Sequence, residues 1–324
     1  MSRLFVDHRE RPPALPVVET SWRDVSVSEG GAYDDGGIDA EQYRGQTLWF
    51  ATQHGKTSLV EKPFSEIAGI HVRTRTADTD ALGTFTGEID RPGDALDTVV
   101  QKARLALGSA TDLGLASEGS FFAHPFLPFV PTGIEMLAFI DAGREIIAVG
   151  RTGLRPTNWS HLDLAADGPS LVDPQWLTQI GFGDHSVCVI GLDALGSICG
   201  VPAKGIDEEA SLDAAVVELA RLQDVRTIRL MTDMRAHTNP TRQAVITDLA
   251  TSLAIRLTRG CPECAQAGWA RIGVVSGIPC SWCATPTECA KEWVFGCVAC
   301  DHTLTRPAPG PASVDPGQCP HCNP

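Results

Sequence analysis

Short apolar runs of four to six residues alternate with segments of helical period from Gln46 onward. That alternation predicts an α/β domain rather than a bundle or a sandwich. Strands are expected at Thr47–Thr52, Ile70–Thr74, Leu113–Ser117, Met136–Asp141, Glu145–Val149, Ser186–Leu192 and Thr227–Thr232. "MLAFIDAGREIIAVG" predicts a hairpin turning at Ala142 and Gly143. In "DALDTVVQKARLAL", Leu96, Val99, Val100, Ala103 and Leu107 share one helical face, and Asp94 is placed to cap its start. "DEEASLDAAVVELARLQ" carries acids in its first turn and an apolar stripe through Leu212, Val216 and Leu219. "NPTRQAVITDLATSLAIRL" opens with Asn239 as cap and Pro240 in the first helical position, and Gly260 ends it.

These patterns divide the chain into three parts. Residues 1–45, rich in Pro, Gly and acids, predict a flexible or loosely docked arm. Residues 46–258 predict a mixed sheet flanked by helices that binds a ligand or catalyses a reaction, and residues 259–324 predict a small double zinc-ribbon module. The module is read from four Cys-x-x-Cys pairs: Cys261 and Cys264, Cys280 and Cys283, Cys297 and Cys300, Cys319 and Cys322. Each pair offers two thiolates and two pairs complete a tetrahedron, so two closed, structural zinc sites are expected. The loop lengths suit sequential pairing, first with second and third with fourth. Cys188 and Cys199 read as core residues, and Cys289 as incidental.

Composition narrows the partners. A net charge of −14 opposes a broad nucleic-acid surface. Between Cys261 and Cys322 the basic residues are Arg271, Lys291 and Arg306, a poor footprint for nucleic acid. A protein partner or self-association through the module fits better. No apolar run reaches membrane-spanning length and the first residues lack a secretory h-region, so no membrane partner and a cytoplasmic location are expected.

Polar clusters at the predicted strand ends carry the candidate chemistry, because ligands of open α/β sheets sit beyond the carboxyl ends of strands. "FATQHGK" supplies Thr52, His54 and Lys56 to an anion. "GTFTGEIDR" supplies Glu88, and "ASEGSF" supplies Ser117, Glu118 and Ser120 from a strand-end turn. Two carboxylates from separate strand ends suit Mg²⁺ or an acid/base pair. "TDMRAHTNPTR" brings Arg235, His237 and Arg242 to a helix start, where guanidinium groups suit phosphate. His54, His124 and His237 are the imidazole acid/base candidates beside Glu118 and Lys56.

The motifs "ATQHGK", "LGTFTGEID", "LGLASEGSF", "TDMRAHTNPTR" and the terminal Cys pairs resemble an uncharacterised bacterial domain-of-unknown-function family over about residues 48–324. That resemblance brings no activity with it. A fainter resemblance, carried by "FATQHGK", "GEIDRPGDALDTVVQKARLAL" and "DLGLASEGSF" in that order, is to the inosine/xanthosine triphosphate pyrophosphatases and Maf-like proteins. It implies their fold, phosphate contacts from Thr52 and Lys56, and Mg²⁺ roles for Glu88 and Glu118. His54 stands where that pattern has Asn, and the Lys spacing is one residue shorter. The expectation is a Mg²⁺-dependent enzyme acting on a nucleotide or other phosphorylated small molecule, most simply by phosphoanhydride hydrolysis. The alternatives are a ligand-sensing zinc-ribbon adaptor without turnover, or a ligase, lyase or transferase using the same pocket.

Overall fold

The computed structural model describes residues 17–22, 35–53, 55–84, 86–168 and 172–323. In chain order the strands are β1 (Val17–Trp22), β2 (Ile38–Asp39), β3 (Thr47–Ala51), β4 (His71–Arg75), β5 (Leu113–Ala123), β6 (Pro131–Asp141), β7 (Ile146–Thr152), β8 (Arg155–Pro156), β9 (His161–Ala165), β10 (Val187–Leu192), β11 (Ile198–Ile206), β12 (Thr227–Thr232), β13 (Arg259–Gly260), β14 (Ala270–Ser276), β15 (Ala290–Gly296) and β16 (Thr303–Pro307). The helices are α1 (Thr57–Ala68), α2 (Ala95–Leu105), α3 (Pro174–Ile180), α4 (Glu209–Ala220) and α5 (Pro240–Leu257). The class is mixed α/β, with sheets flanked by helices. Among the described residues no helix is long and apolar enough to cross a membrane.

The main sheet runs β1-β7-β6-β5-β3-β4, with β8 added to β6. Strand β3 is parallel to both β4 and β5, whereas β6 is antiparallel to its neighbours β5 and β7. The chain leaves β3 outward through α1 to β4, then returns through α2 to β5 on the other side of β3. That reversal puts the two helices on opposite faces. Period-two alternation in β5 serves both: Leu113 and Leu115 join the core with Val60 and Phe64 of α1 and Leu249 and Leu253 of α5, while Ala116 packs with Val99 and Ala103 of α2. Gly114 lets α2 close in, since a Cβ there would lie 2.6 Å from Ala103 O. The helix caps act as the sequence predicts: Asp94 accepts from Asp97 N, and Asn239 accepts from Arg242 N.

A second, antiparallel sheet runs β11-β10-β12-β9. Its Val187, Val189, Ile228 and Leu230 pack under Trp176 of α3 and Leu212, Val216 and Leu219 of α4. The intervening residues, Ile190, Arg229, Met231 and His161, therefore share the opposite face. Sequence patterning misses β9 and β11. The latter contains Gly200, Pro202 and Gly205, tolerated because β11 is an edge strand with a register shift opposite β10.

In the N-terminal arm, Val17–Trp22 is parallel to β7 as an edge strand and β2 pairs with β13. Arg259 holds both Asp35 and Asp39, and Trp269 Nε1 donates to Asp35 O at 2.9 Å. These parts of the expected loose arm are docked; residues 1–16 and 23–34 lie outside the described residues.

The cysteine pairs interleave, which corrects the sequential pairing expected from loop length. Cys261, Cys264, Cys297 and Cys300 form one cluster, and Cys280, Cys283, Cys319 and Cys322 the other. The antiparallel meander β14-β15-β16 explains it: each strand carries the chain to the opposite end, so alternate pairs meet. Sγ···Sγ separations are 3.8 Å for Cys261–Cys300, 3.6 Å for Cys264–Cys297, 3.9 Å for Cys280–Cys322 and 3.6 Å for Cys283–Cys319. A tetrahedron with Zn–S bonds of about 2.3 Å has edges of about 3.8 Å, whereas a disulfide is about 2.05 Å. Both clusters fit a structural zinc ion.

The first cluster is joined to the main domain. Ala267 and Val298 beside it belong to the large core, and buried Arg256 of α5 donates to Gly268 O at 2.9 Å and to Val149 O at 3.2 Å. The second lies at the far end of β14. Two zinc atoms per chain are expected by elemental analysis. Cys297→Ser should lower the main melting transition by more than about 5 °C. Cys283→Ser should remove one zinc and leave that transition within about 2 °C in calorimetry.

Candidate functional site

Strand β3 ends at Ala51, but β5 continues to Ala123 with β6 as its partner throughout. The pairing of β3 with β5 stops at Phe50 and Leu115. Beyond that point the β3-side edge of β5 is uncovered, and both of its faces open into a cleft of about 570 Å³. The cleft thus lies at the carboxyl end of the strand pair where the sheet reverses its order. Glu118 sits within β5, opposite Met136, and not in the strand-end turn that its polar neighbours suggest.

Six cationic side chains line the cleft: Lys56, Arg91, Lys102, Lys204, Arg235 and Arg242. The carboxylates of the lining are Asp80 and Glu118. Further acids stand behind the wall and aim the cations. Glu135 holds Arg242 through two contacts, at 2.8 and 3.0 Å, and Asp233 holds Arg235 at 2.6 Å. Both acids are almost fully buried. Arg242 also donates to Met234 O at 2.6 Å and lies over the Phe121 ring. Gly119 makes room for this pair, because a Cβ there would be 2.7 Å from Glu135 Oε2 and 2.8 Å from the Arg242 guanidinium. The glycine of "SEGSF" is therefore a close-approach glycine.

Odd and even residues of β5 face different partners. Ser117 accepts from Lys56 Nζ at 3.1 Å on the α1 and α5 side. On the α2 side, Glu118 accepts from Lys102 at 2.7 Å and is also bonded by Arg91, which reaches Ser120 Oγ at 3.1 Å. Glu88 is held separately, by Thr86 and Lys204. Both oxygens of Glu118 thus face cations, and Glu88 has a different set. Among the described residues the groups of three or more potential metal ligands are the two cysteine clusters. The shared Mg²⁺ site expected of Glu88 and Glu118 is not supported by this geometry.

Lys56 differs from the other cations. Arg91, Lys102, Lys204, Arg235 and Arg242 each hold a carboxylate, whereas the hydrogen bond of Lys56 among the described residues is to the Ser117 hydroxyl. Its side chain is half-buried in the cleft wall. Desolvation first, and the Arg242 charge next, push its pKa down to about 8.

Several expected site residues fall elsewhere. His124 Nδ1 accepts from Phe126 N and Leu127 N at 3.2 Å, closing the turn between β5 and β6, and it does not line the cleft. His237 is exposed in a single helical turn, also outside the lining. Thr52 is buried behind the lining, its N–H donating to Arg75 O at 3.4 Å. His54 lies outside the described residues. Sequence reading missed Lys102, Glu135 and Trp159, whereas Lys204 opens "KGIDEE", a polar cluster at a strand end to which sequence reading gives no role. Lys102 was detectable as a charge three residues from Val99 on an apolar helical stripe, and Glu135 as an acid entering a continuous apolar strand.

The family model described as a domain of unknown function, DUF6671, matches residues 102–324. The chain belongs to that family. No curated protein and no solved structure matches it. The segment matched to DUF6671 carries Lys102, Glu118, Lys204, Arg235, Arg242 and all eight clustered cysteines, while Lys56, Glu88 and Arg91 precede it.

The depressed pKa of Lys56 has a stability consequence. Its folded value of about 8 lies below the ordinary 10.5. The unfolded chain therefore binds the proton more tightly between those values, and stability rises with pH across that window and is flat below it. Lys56→Met removes the cost of desolvating the charge. The variant is expected to melt higher than the parent at pH 7, and the difference should shrink as pH rises from 8 to 10.5.

Proposed function

We propose that the cleft binds a phosphorylated small molecule and that the protein acts on it, most simply by phosphoanhydride hydrolysis. The observation behind this reading is the half-buried Lys56 in the cleft wall, near Arg242 and Lys102 as well as Glu135 and Glu118, whose hydrogen bond is to the Ser117 hydroxyl and not to a carboxylate. A partly desolvated charge of this kind is costly alone and favourable beside a bound anion. The acids behind the wall hold the guanidinium groups ready, so that little reorganisation accompanies binding. Arg235 and Arg242 offer planar donors, Lys56 and Lys102 point charges, and Ser120 a hydroxyl.

Charge developing on a phosphoryl oxygen would be offset by these side chains. Glu118 is the carboxylate placed to take a proton from an attacking water once the anion draws Arg91 and Lys102 toward itself. Magnesium has no ligand set in this reading and would enter as the counter-ion of a polyphosphate. A second reading, ligand sensing without turnover, is favoured by one observation: His124 and His237 do not line the cleft.

Inorganic phosphate and tripolyphosphate should raise the melting temperature of the parent and not that of Lys56→Met. Because Lys56 loses its proton near pH 8, the effect should weaken from pH 7 to pH 9. Release of phosphate or pyrophosphate from nucleoside triphosphates separates the readings: turnover supports the enzyme, and stabilisation without turnover supports the sensor. If neither phosphate compound stabilises the parent at pH 7, the anion reading is wrong.

A further inference from the structure

A second cleft, of about 780 Å³, opens on the face of the β11-β10-β12-β9 sheet that α3 and α4 leave uncovered. It meets the cationic cleft along a common border, since Thr86, Trp159 and Met231 line both. The ion pair of Glu88 and Lys204 crosses the same border, with Glu88 in the second lining and Lys204 in the first. The chemistry changes sharply there. On one side is a wall of ammonium and guanidinium groups. On the other, Ile190, Leu192 and Met231 form an apolar floor beside Trp159 and His161.

The backbone around Trp159 is well anchored for a connecting segment. The Trp159 N–H donates to Thr157 Oγ1 at 2.9 Å. The preceding Asn158 bonds to Ile180 O at 2.9 Å and to Asn239, the cap of α5, at 3.0 Å. The following Ser160 donates its N–H to Thr232 Oγ1 at 3.1 Å and accepts from Trp176 Nε1 at 2.9 Å. The indole and the His161 ring are 6.2 Å apart and tilted, so they do not stack face to face. Arg229, at the edge of the cleft, is occupied by Asp163 through two contacts of 2.7 Å. The floor therefore offers the Trp159 indole beside apolar side chains, and among the described residues of its lining Glu88 and Arg229 are both ion-paired.

We infer that the second cleft receives a planar aromatic group of the ligand whose phosphate lies in the first, with Trp159 as the stacking surface. The ligand class is then an aromatic ring system joined to phosphate by a short linker, as in a nucleotide, and Ser197 at the rim can hydrogen-bond its edge. This rests on the anion reading of the cationic cleft. A buried aromatic stacking contact strengthens binding by about 5- to 150-fold.

Calorimetric titration of the full chain with tripolyphosphate, adenosine, ATP, GTP, CTP and UTP tests it, using the parent, Trp159→Ala and Trp159→Phe. At least one nucleotide should bind 5-fold or more tightly than tripolyphosphate to the parent. That advantage should vanish in Trp159→Ala and persist in Trp159→Phe, with Trp159→Ala lowering nucleotide affinity at least 5-fold more than tripolyphosphate affinity, since Trp159 lines both clefts. The inference is overturned if no nucleotide outbinds tripolyphosphate, or if Trp159→Ala weakens tripolyphosphate and nucleotides equally. Tripolyphosphate binding without a nucleotide advantage would overturn the aromatic subsite alone. Trp159-dependent adenosine binding without tripolyphosphate binding would overturn the anion reading alone.

Discussion

The unequal lengths of two neighbouring strands control most of the cleft's geometry. Strand β3 stops at Ala51 while β5 runs on to Ala123, supported from the other side by β6. Had both stopped together, Ser117 to Phe121 would form a loop with freedom to collapse. Pairing with β6 fixes their alternation instead, so Ser117 and Glu118 point to opposite sides of one rigid ribbon. Lys102 of α2 and Arg91, which precedes that helix, then gather on one side, and Lys56 before α1 and Arg242 at the start of α5 on the other. The residues before α1 contribute in a related way: Lys56 stands in the capping position without making a side-chain cap, which leaves its amine for the cleft.

The charges are layered. Carboxylates lie inside the wall, guanidinium and ammonium groups over them, and Lys56 stands apart with a hydroxyl as partner. This arrangement reconciles an acidic chain with an anion-binding reading, because a net charge of −14 describes the whole molecule and not the local field. Breaking a buried ion pair such as Glu135–Arg242 would leave an uncompensated charge costing about 3–5 kcal/mol, so these acids belong to folding as much as to binding.

Much of the secondary structure was legible because its signals are local. Asp94, Asn239 and Pro240 mark helix starts by capping chemistry, and Thr227–Thr232 alternates cleanly enough to be delimited from the sequence. Strands that depend on a partner were harder to find. "PTGIE" reads as a loop because of its Pro and Gly, yet it pairs along Gly119 to Ala123; without that partner, Glu118 looks terminal. The zinc donors were evident from Cys-x-x-Cys spacing, but their pairing is set by the meander between them. The cleft was only partly legible. Arg235 and Arg242 stand out in a polar cluster, whereas Lys102 hides in a helix stripe and Trp159 in a connection between sheets.

The interleaved cysteine clusters tie the C-terminal chain in overlapping loops. The loop closed between Cys261 and Cys300 contains Cys280 and Cys283, and the loop closed between Cys280 and Cys322 contains Cys297 and Cys300. Each ion thus cross-links chain that lies inside the other's loop. Occupation of either site shortens the path that the other must close, lowering its ordering entropy. The two sites are consequently linked through chain connectivity, by a modest entropy of well under about 1 kcal/mol, so that loss of one ion slightly loosens the other and does not release it.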